Sequence, residues 1–238
     1  DVEAGKVTFV HDGSVTLTSG FDVSLADGGE DGAAPATGTV TIGINPIDDA
    51  PVQTVNAGGS VAEGATLAIT DALLDASDSD SAPSDLTYTI TGGPANGVVQ
   101  VSGVTVTSFT QADVDAGNVT YVHDGSETLT GDFTFTLEDA TTTLAGDTFS
   151  ITVTPVNDAP ALTITNPANI NEGATAAISA AVLAGSDADD AAADLTYSVS
   201  NLVNGVVQLS GVTVTSFTQA DVAAGKVTYV HDGTETMT

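Results

Sequence analysis

The sequence predicts an all-β fold of tandem antiparallel β-sandwiches, with about seven short strands in each repeat of about 109 residues. Two observations carry this prediction. Apolar residues alternate with threonine in short runs, which is typical of strands with one buried and one solvated face. The same segment also recurs along the chain at a nearly constant spacing, which is typical of a repeat protein.

The repeat is visible in a segment that occurs twice almost unchanged. Residues 98–130 and 206–238 are identical at twenty-eight of thirty-three positions. The His-Asp-Gly motif within this segment begins at His123 and His231, and it also occurs at His11. A third copy of the same signal therefore opens the chain.

The spacing divides the chain into three segments. It predicts the C-terminal half of one repeat at residues 1–51, a complete repeat at 52–160 and the N-terminal part of the next repeat at 161–238. Because both ends fall inside a repeat, we expect the chain to be a window of a longer tandem array.

Individual strands follow from the alternation within the complete repeat. Residues 85–91 (DLTYTIT) and 132–137 (DFTFTL) each place their large apolar side chains on one face. Ser102 and Gly103 separate two valine-rich runs and predict a two-residue hairpin turn. About seven such strands in about 100 residues fit an immunoglobulin-like or cadherin-like sandwich.

Two short helical turns are predicted between the strands. Thr110 and Asp113 have the spacing of a capping box, with Asp in place of Glu, and Gly117 is placed to end that turn. The second candidate is the segment DALLD at residues 71–75.

Composition excludes several classes of function. The chain has 32 acidic and two basic side chains among 238 residues, for a formal net charge of −30. Nucleic acid needs clustered Lys and Arg, so it is excluded as a partner. The absence of cysteine excludes disulfides, zinc–thiolate sites and cysteine nucleophiles. No apolar run has the length of a membrane span, so no membrane insertion is predicted. No nucleophile stands at a fixed spacing from the repeated histidines, so the sequence predicts no enzyme.

Acidic residues gather at predicted turns and strand ends. Hard divalent cations take six to eight oxygen ligands, and Asp-x-Asp on a turn lets two carboxylates converge on one ion. Any single Asp is better explained by its preference for turns or by its contribution to solubility than by metal binding. For the whole set, mutual repulsion without a counterion favours Ca²⁺. The set comprises Asp12, Asp48, Asp49, Glu63, Asp78, Asp80, Asp124, Glu127, Asp139, Asn157, Asp158, Asp187 and Asp189.

The motifs together resemble a known family. Residues 109–139 (FTQADVDAGNVTYVHDGSETLTGDFTFTLED), followed by VNDAP at 156–160, resemble the chondroitin-sulfate-proteoglycan repeat, a cadherin-like module. That repeat also occurs in giant bacterial surface adhesins. In its lack of Cys and Arg and in its extreme acidity, the chain resembles the bacterial members of this family. The resemblance therefore implies an extracellular location at a bacterial cell surface, reached by type I secretion.

The resemblance also implies Ca²⁺ between successive repeats. At the first junction it implies Asp12, Asp48, Asp49, Asp78, Asp80 and Asp139 as ligands. At the second it implies Glu63, Asp124, Glu127, Asn157, Asp158, Asp187 and Asp189. The sequence departs from the cadherin pattern, since the linker is one residue shorter and Val15 stands where Glu127 stands in the complete repeat. These departures imply fewer ions at some junctions.

The predicted function is that of structural extender repeats in the stalk of a calcium-stiffened bacterial adhesin or surface filament. Its partners are then the neighbouring repeats of the same chain. One alternative is a self-assembling filament subunit, in which another copy supplies the strands that correspond to residues 21–44. A second alternative is an adhesion module that binds a glycan or a protein ligand, which the sequence does not name.

Overall fold

A computed structural model of the chain describes residues 1–28 and 32–235, which divide into two compact units, residues 1–154 and 155–238. Each unit is all-β apart from one five-residue helix. The finer division at residues 51 and 160 stays a prediction. Among the described residues, no helix is long and apolar enough to cross a membrane.

The first unit carries the longer series of strands. Its elements are β1 (Thr18–Leu25), β2 (Ala36–Gly43), β3 (Val52–Asn56), β4 (Gly59–Ala62), β5 (Thr66–Ala68), β6 (Leu74–Ser77), β7 (Thr87–Gly92), β8 (Gly97–Val101), β9 (Val104–Thr105), β10 (Ser108–Thr110), α1 (Gln111–Asp115), β11 (Val119–His123), β12 (Phe133–Glu138), β13 (Thr143–Phe149) and β14 (Ile151–Thr154).

Strands β3 to β14 form a sandwich around one core. Two antiparallel sheets have the orders β10-β7-β12-β13 and β5-β11-β8-β9. Two further pairs complete the fold, β3 with β6 and β4 with β14. The last pair is parallel, with Gly59 opposite Ile151 and Ala62 opposite Thr154. It therefore joins the beginning of the sandwich to its end.

The period of two explains which side chains form this core. Phe133, Phe135 and Leu137 alternate with threonines along β12 and are each 1% exposed. The ring of Tyr88, from the neighbouring strand β7, lies 5.4 Å from that of Phe135 and 5.1 Å from that of Phe109, measured between centroids. Aromatic contacts of this kind fix how the two strands pack.

The local signals behave largely as predicted. Ser102 and Gly103 both have positive φ angles, of 49° and 82°, as the two-residue hairpin requires. The capping box of Thr110 and Asp113 is formed at the start of α1. The second predicted turn, at residues 71–75, forms only at its start, where the backbone N–H groups of Leu73 and Leu74 donate to the carbonyl of Thr70. After a turn, the chain enters β6 at Leu74, because that side chain is fully buried in the sandwich and β6 pairs with β3.

The strands β1 and β2 form a hairpin beside this sandwich. Phe21 lies opposite Val40, which matches the pairing of Phe133 with Phe149 between β12 and β13. The hairpin leaves its apolar side chains open to solvent, with Phe21 44% exposed.

The second unit repeats the arrangement of the first half of the sandwich. Its core contains Val207, Phe217, Val222 and Val227. Its sheets have the orders β15-β17, β16-β22-β19-β20 and β18-β21. Its elements are β15 (Ala161–Ile164), β16 (Thr175–Ala177), β17 (Leu183–Ser186), β18 (Thr196–Ser198), β19 (Gly205–Leu209), β20 (Val212–Thr213), β21 (Ser216–Thr218), α2 (Gln219–Ala223) and β22 (Val227–His231).

Candidate metal centre

The predicted carboxylates of the first junction lie on three segments that follow strands. Asp48 and Asp49 lie in the linker after β2, Asp78 and Asp80 follow β6, and Asp139 follows β12. Strand ends are rigid supports for such side chains, because the strand itself is fixed by its ladder of backbone hydrogen bonds.

Asp78 is held by its own turn and has one oxygen without a partner. Its Oδ1 accepts hydrogen bonds from the backbone N–H of Asp80 at 2.9 Å and of Ser81 at 3.0 Å. Its Oδ2 is buried and has no hydrogen-bond partner. A buried, unpaired carboxylate oxygen is costly unless a proton or a cation satisfies it.

Asp139 shows the same division of roles. Its Oδ1 accepts from the backbone N–H of Thr141 at 2.7 Å and of Thr142 at 2.6 Å. Its Oδ2 is also buried and without a partner. Two turns from different strands thus each present a fixed, unsatisfied oxygen.

The linker is tied to both turns. The backbone N–H of Asp49 donates to Oδ2 of Asp80 at 3.3 Å, and the Ser79 hydroxyl donates to Oδ2 of Asp49 at 2.7 Å. The Thr141 hydroxyl donates to Oδ2 of Asp48. These contacts gather all five predicted aspartates of the linker and the two turns in one region of the first unit.

The electrostatics of this region show an excess of negative charge. The pKa of Asp80 is raised, first because its carboxyl shares a proton with Asp78, and further through desolvation and the charges on Asp78 and Asp48. The pKa of Asp78 is lowered, mainly by the N–H of Asp80. A bound cation would offset this excess of negative charge and would also satisfy the buried Oδ2 of Asp78.

The donor set fits a hard divalent cation. Every candidate ligand is an oxygen, which suits Ca²⁺ or Mg²⁺ and not a metal that prefers nitrogen or sulfur. Across the described residues, no three of the carboxylates from Asp48, Asp78, Asp80 and Asp139 come within 4.8 Å of one another. Binding of an ion by three of them would therefore require these side chains to move closer together.

The structure does not join Asp12 to this group through any described contact. Its carboxylate accepts from the N–H and hydroxyl of Ser14 in its own turn. A cleft of about 590 Å³ lies nearby and is lined by Val15, Asp49 and Asp80, among others. The apolar Val15 thus faces a space where the complete repeat has Glu127.

Two of the predicted ligands of the second junction lie close together at the other end of the sandwich. Carboxylate oxygens of Glu63 and Glu127 lie within 4.8 Å of each other. The Ser126 hydroxyl and N–H donate to Asp124 and lower its pKa. Asp124 therefore serves its own turn, and its role as a ligand stays a prediction.

A buried histidine holds this end together. His123 is 3% exposed, and its Nδ1 accepts from the backbone N–H of Gly64 and of Gly125, both at 3.1 Å. The ring thereby joins the turns that carry Glu63 and Glu127. Sequence reasoning did not predict this role, because the contact of His123 with Gly64 spans 59 positions.

The second unit repeats the first arrangement at an offset of 109 residues. Oδ1 of Asp187 accepts from the N–H of Asp189 at 2.9 Å and of Asp190 at 3.1 Å. The N–H of Asp158 donates to Oδ2 of Asp189 at 2.5 Å. The side-chain amide of Asn157 donates to the carbonyl of Asp158 at 2.7 Å.

Sequence reasoning missed the residue that positions β6, the strand that leads to Asp78. Gln111 is 1% exposed, and its Oε1 accepts from the Tyr88 hydroxyl at 2.7 Å and from the N–H of Ala76 at 3.0 Å. Gln219 makes the same contacts with Tyr197 and Gly185 in the second unit. The signal in the sequence that could have revealed this role is the occurrence of Gln at the matching position of both repeats.

Comparison with known sequences places these features in a family. The cadherin-like family matches residues 51–153 and 160–238. The chain is 34% identical to chondroitin sulfate proteoglycan 4 of Homo sapiens, over 97% of the chain and 10% of that protein. It is 30% identical to extracellular matrix protein 3 of Lytechinus variegatus, over 94% of the chain and 8% of that protein. The chain thus spans about a tenth of these relatives.

Two solved structures also have some similarity to the chain. Human CDH23 EC21-23 matches with a TM-score of 0.49 and 16% identity, over 92% of this chain and 65% of that one. The protocadherin GammaB4 extracellular domain matches with a TM-score of 0.45 and 16% identity, over 91% and 32%. The sequence match covers most of the chain, and the predicted resemblance to the chondroitin-sulfate-proteoglycan type of repeat and the predicted tandem β-sandwich fold are confirmed. The chain belongs to the cadherin-like family.

Proposed function

We propose that this chain is a non-enzymatic structural segment of an extracellular protein, stiffened by Ca²⁺ at the junction between repeats. Its relatives are named as extracellular matrix proteins and a proteoglycan, and none of these names denotes an enzyme. The single observation that carries the metal proposal is the pair of buried, unpartnered oxygens on Asp78 and Asp139.

The residues divide into those that hold the ion and those that hold the ligands. Asp78, Asp80 and Asp139 supply oxygens from the sandwich, and Asp48 and Asp49 supply them from the linker. When bound, Ca²⁺ supplies the positive charge that the side chains of this region lack. The bound ion then adds to the hydrogen bonds with both turns that already hold the linker in one conformation.

Composition supports the narrower proposal of a bacterial surface adhesin. The chain has a formal net charge of −30 and contains neither Cys nor Arg. Such a chain needs no oxidising compartment to fold, which suits type I secretion to the cell surface. The same acidity keeps a long array soluble outside the cell.

Calorimetric titration of the chain with CaCl₂ tests the proposal. We expect binding with a dissociation constant of about 10⁻⁴–10⁻³ M, the range of extracellular modules. Hydrogen exchange of the backbone amides at residues 47–50 should slow when Ca²⁺ is added. Asp85→Asn, an exposed change on the same sandwich, provides the matched control. Titration without heat, or exchange that is unaffected by Ca²⁺, would contradict the stiffening mechanism.

A further inference from the structure

One edge of the complete sandwich is open at strand β9. This strand ends the sheet β5-β11-β8-β9, and β10 to β14, which follow it in the chain, are all present and leave it uncovered. Among the described residues, β9 pairs with β8 alone. In the second unit, β20 ends the corresponding sheet in the same way. The open edge is therefore a feature of each repeat and not of the ends of the chain.

The backbone at this edge has groups available for a further strand. Thr105 lies opposite Gln100. The N–H of the next residue, Val106, donates to the carbonyl of Val99 at 3.0 Å. Because hydrogen-bonded and non-hydrogen-bonded pairs alternate along an antiparallel ladder, the N–H and C=O of Thr105 point away from β8. Thr105 is exposed, so these two groups can pair with another strand.

The edge also leaves an apolar side chain uncovered. Val104 lies opposite Val101, whose side chain packs against the core. Val104 therefore stands on the core-facing side of the sheet, yet it is 66% exposed. Val212, at the matching position of the second unit, is also 66% exposed. A strand placed beside β9 would cover this side chain.

The segment that contains this edge carries no charge. Residues 86–112 and 195–220 contain no Asp, Glu, Lys, Arg or His, although the whole chain has 32 acidic side chains. The outer strands β13 and β5 differ, because β13 contains Asp147 and β5 lies between Glu63 and Asp71. Charged side chains on an outer strand oppose the pairing of further strands, and β9 lacks this protection.

Charge also indicates what pairs with this edge. The formal net charge is −30, so two copies repel each other wherever their acidic turns meet, whereas a basic partner would be drawn to those turns. The repulsion between copies is weakest at the charge-free segments. If two β9 strands lie antiparallel across a twofold axis, Thr105 meets Thr105 of the other copy, and Val104 meets Val106. The free backbone groups and the valines then pair with one another.

We propose that two copies of this chain associate side by side through their β9 edges. The contact is isologous, since the same surface of each copy takes part. One such edge is a small contact and gives weak association, but a chain of several repeats carries several edges, which act together. This lateral pairing goes beyond the proposed stiffening of the junctions and requires no ion.

Cysteine pairing tests the contact directly. The chain has no cysteine, so Thr105→Cys introduces a single thiol, which faces its own symmetry mate in the proposed contact. Residues opposed in a hydrogen-bonded pair have Cα atoms about 5.5 Å apart, which suits a disulfide. Thr66→Cys is the matched control, because Thr66 is an exposed threonine on β5, at the other edge of the same sheet. Under mild oxidation in EGTA, we expect Thr105→Cys to form linked dimers and Thr66→Cys to form few. Equal yields would overturn the proposal.

Sedimentation in EGTA provides the independent measurement. The average mass of the unaltered chain should rise with protein concentration and rise further with NaCl, because salt screens the repulsion between acidic copies.

Charges placed at the edge should then oppose association. Val104→Asp combined with Val212→Asp should weaken it by about 10-fold, because each change puts a charge into the apolar contact. Thr66→Asp combined with Thr175→Asp adds the same charge to β5 and β16 and should weaken it far less. All four positions are exposed, so the fold tolerates both pairs of changes. A chain that stays monomeric at every salt concentration, or equal effects of the two double variants, would refute the contact.

Discussion

Replacing Asp78 by Asn should stabilise the calcium-free protein and destabilise the calcium-loaded protein. The variant keeps an oxygen that accepts from the N–H of Asp80 and Ser81, while an amide replaces the buried, unpartnered Oδ2. In EGTA the amide can donate to neighbouring carboxylates and one negative charge is gone. We expect the variant to be more stable than the original by about 0.5–1 kcal/mol.

In Ca²⁺ the same change should be destabilising relative to the original. An ion that binds only the folded state adds RT ln(1 + [L]/Kd) to stability. At 2 mM Ca²⁺ and a Kd of about 10⁻⁴–10⁻³ M, this is about 0.6–1.8 kcal/mol. For a domain of about 100 residues, it raises the midpoint of thermal unfolding by roughly 3–14 °C. Asp78→Asn should abolish most of that rise in the midpoint.

The assay is thermal unfolding at fixed ionic strength in EGTA, CaCl₂ and MgCl₂. All variants carry Asp187→Asn, so that the change reports the site in the first unit. Asp71→Asn is the control, because Asp71 is exposed, accepts one N–H from its neighbour and carries the same charge. Equal calcium responses in both variants, or equal responses to Ca²⁺ and Mg²⁺, would mean that screening of an acidic surface explains the effect.

Three further changes test the packing and the acid stability. Gln111→Ala should cost about 3–5 kcal/mol in urea unfolding, because it leaves two buried donors unpaired, and a loss below about 1 kcal/mol would contradict that role. Gly131→Ala should cost about 1–3 kcal/mol in the same assay, because its added methyl group meets the ring of Tyr121, and an unchanged midpoint would show that the ring moves freely. The folded-state pKa of Asp147 lies below 3.8, mainly through the N–H of Thr148, so its stabilising effect is present above that pH and is lost as pH falls through the folded value. Asp147→Asn should therefore flatten the dependence of stability on pH below about 4 in EGTA, and an unaltered slope would exclude this contribution.

Local patterns account for what the sequence could predict. Alternation identified β7 and β12, and the Thr110 capping box and the turn at Ser102 depend on residues close together in the chain. The same local reasoning extended the turn at residues 71–75 too far, because the burial of Leu74 against distant strands places the start of β6 there.

The site was less accessible to such reasoning. Acidic turns were visible, but which oxygen of Asp78 or Asp139 is buried and unpaired depends on the folded turn around it. The roles of His123 and Gln111 depend on partners 59 and 35 positions away. Neither contact follows from the spacing of the residues in the sequence alone.

The parallel pairing of β4 with β14 determines how the sandwich responds to tension. A pull on the two ends of this repeat draws β4 and β14 in opposite directions along their common axis, because the strands run the same way. Their hydrogen bonds, including those from Gly59 to Ser150 and from Glu63 to Thr154 at 2.9 Å, are then loaded together in shear instead of opening one by one. We expect single-molecule stretching to show one high-force event per repeat. Thr154→Pro should lower that force, because proline removes a backbone N–H from the strand. Gradual yielding of the unaltered chain at low force would contradict this mechanism.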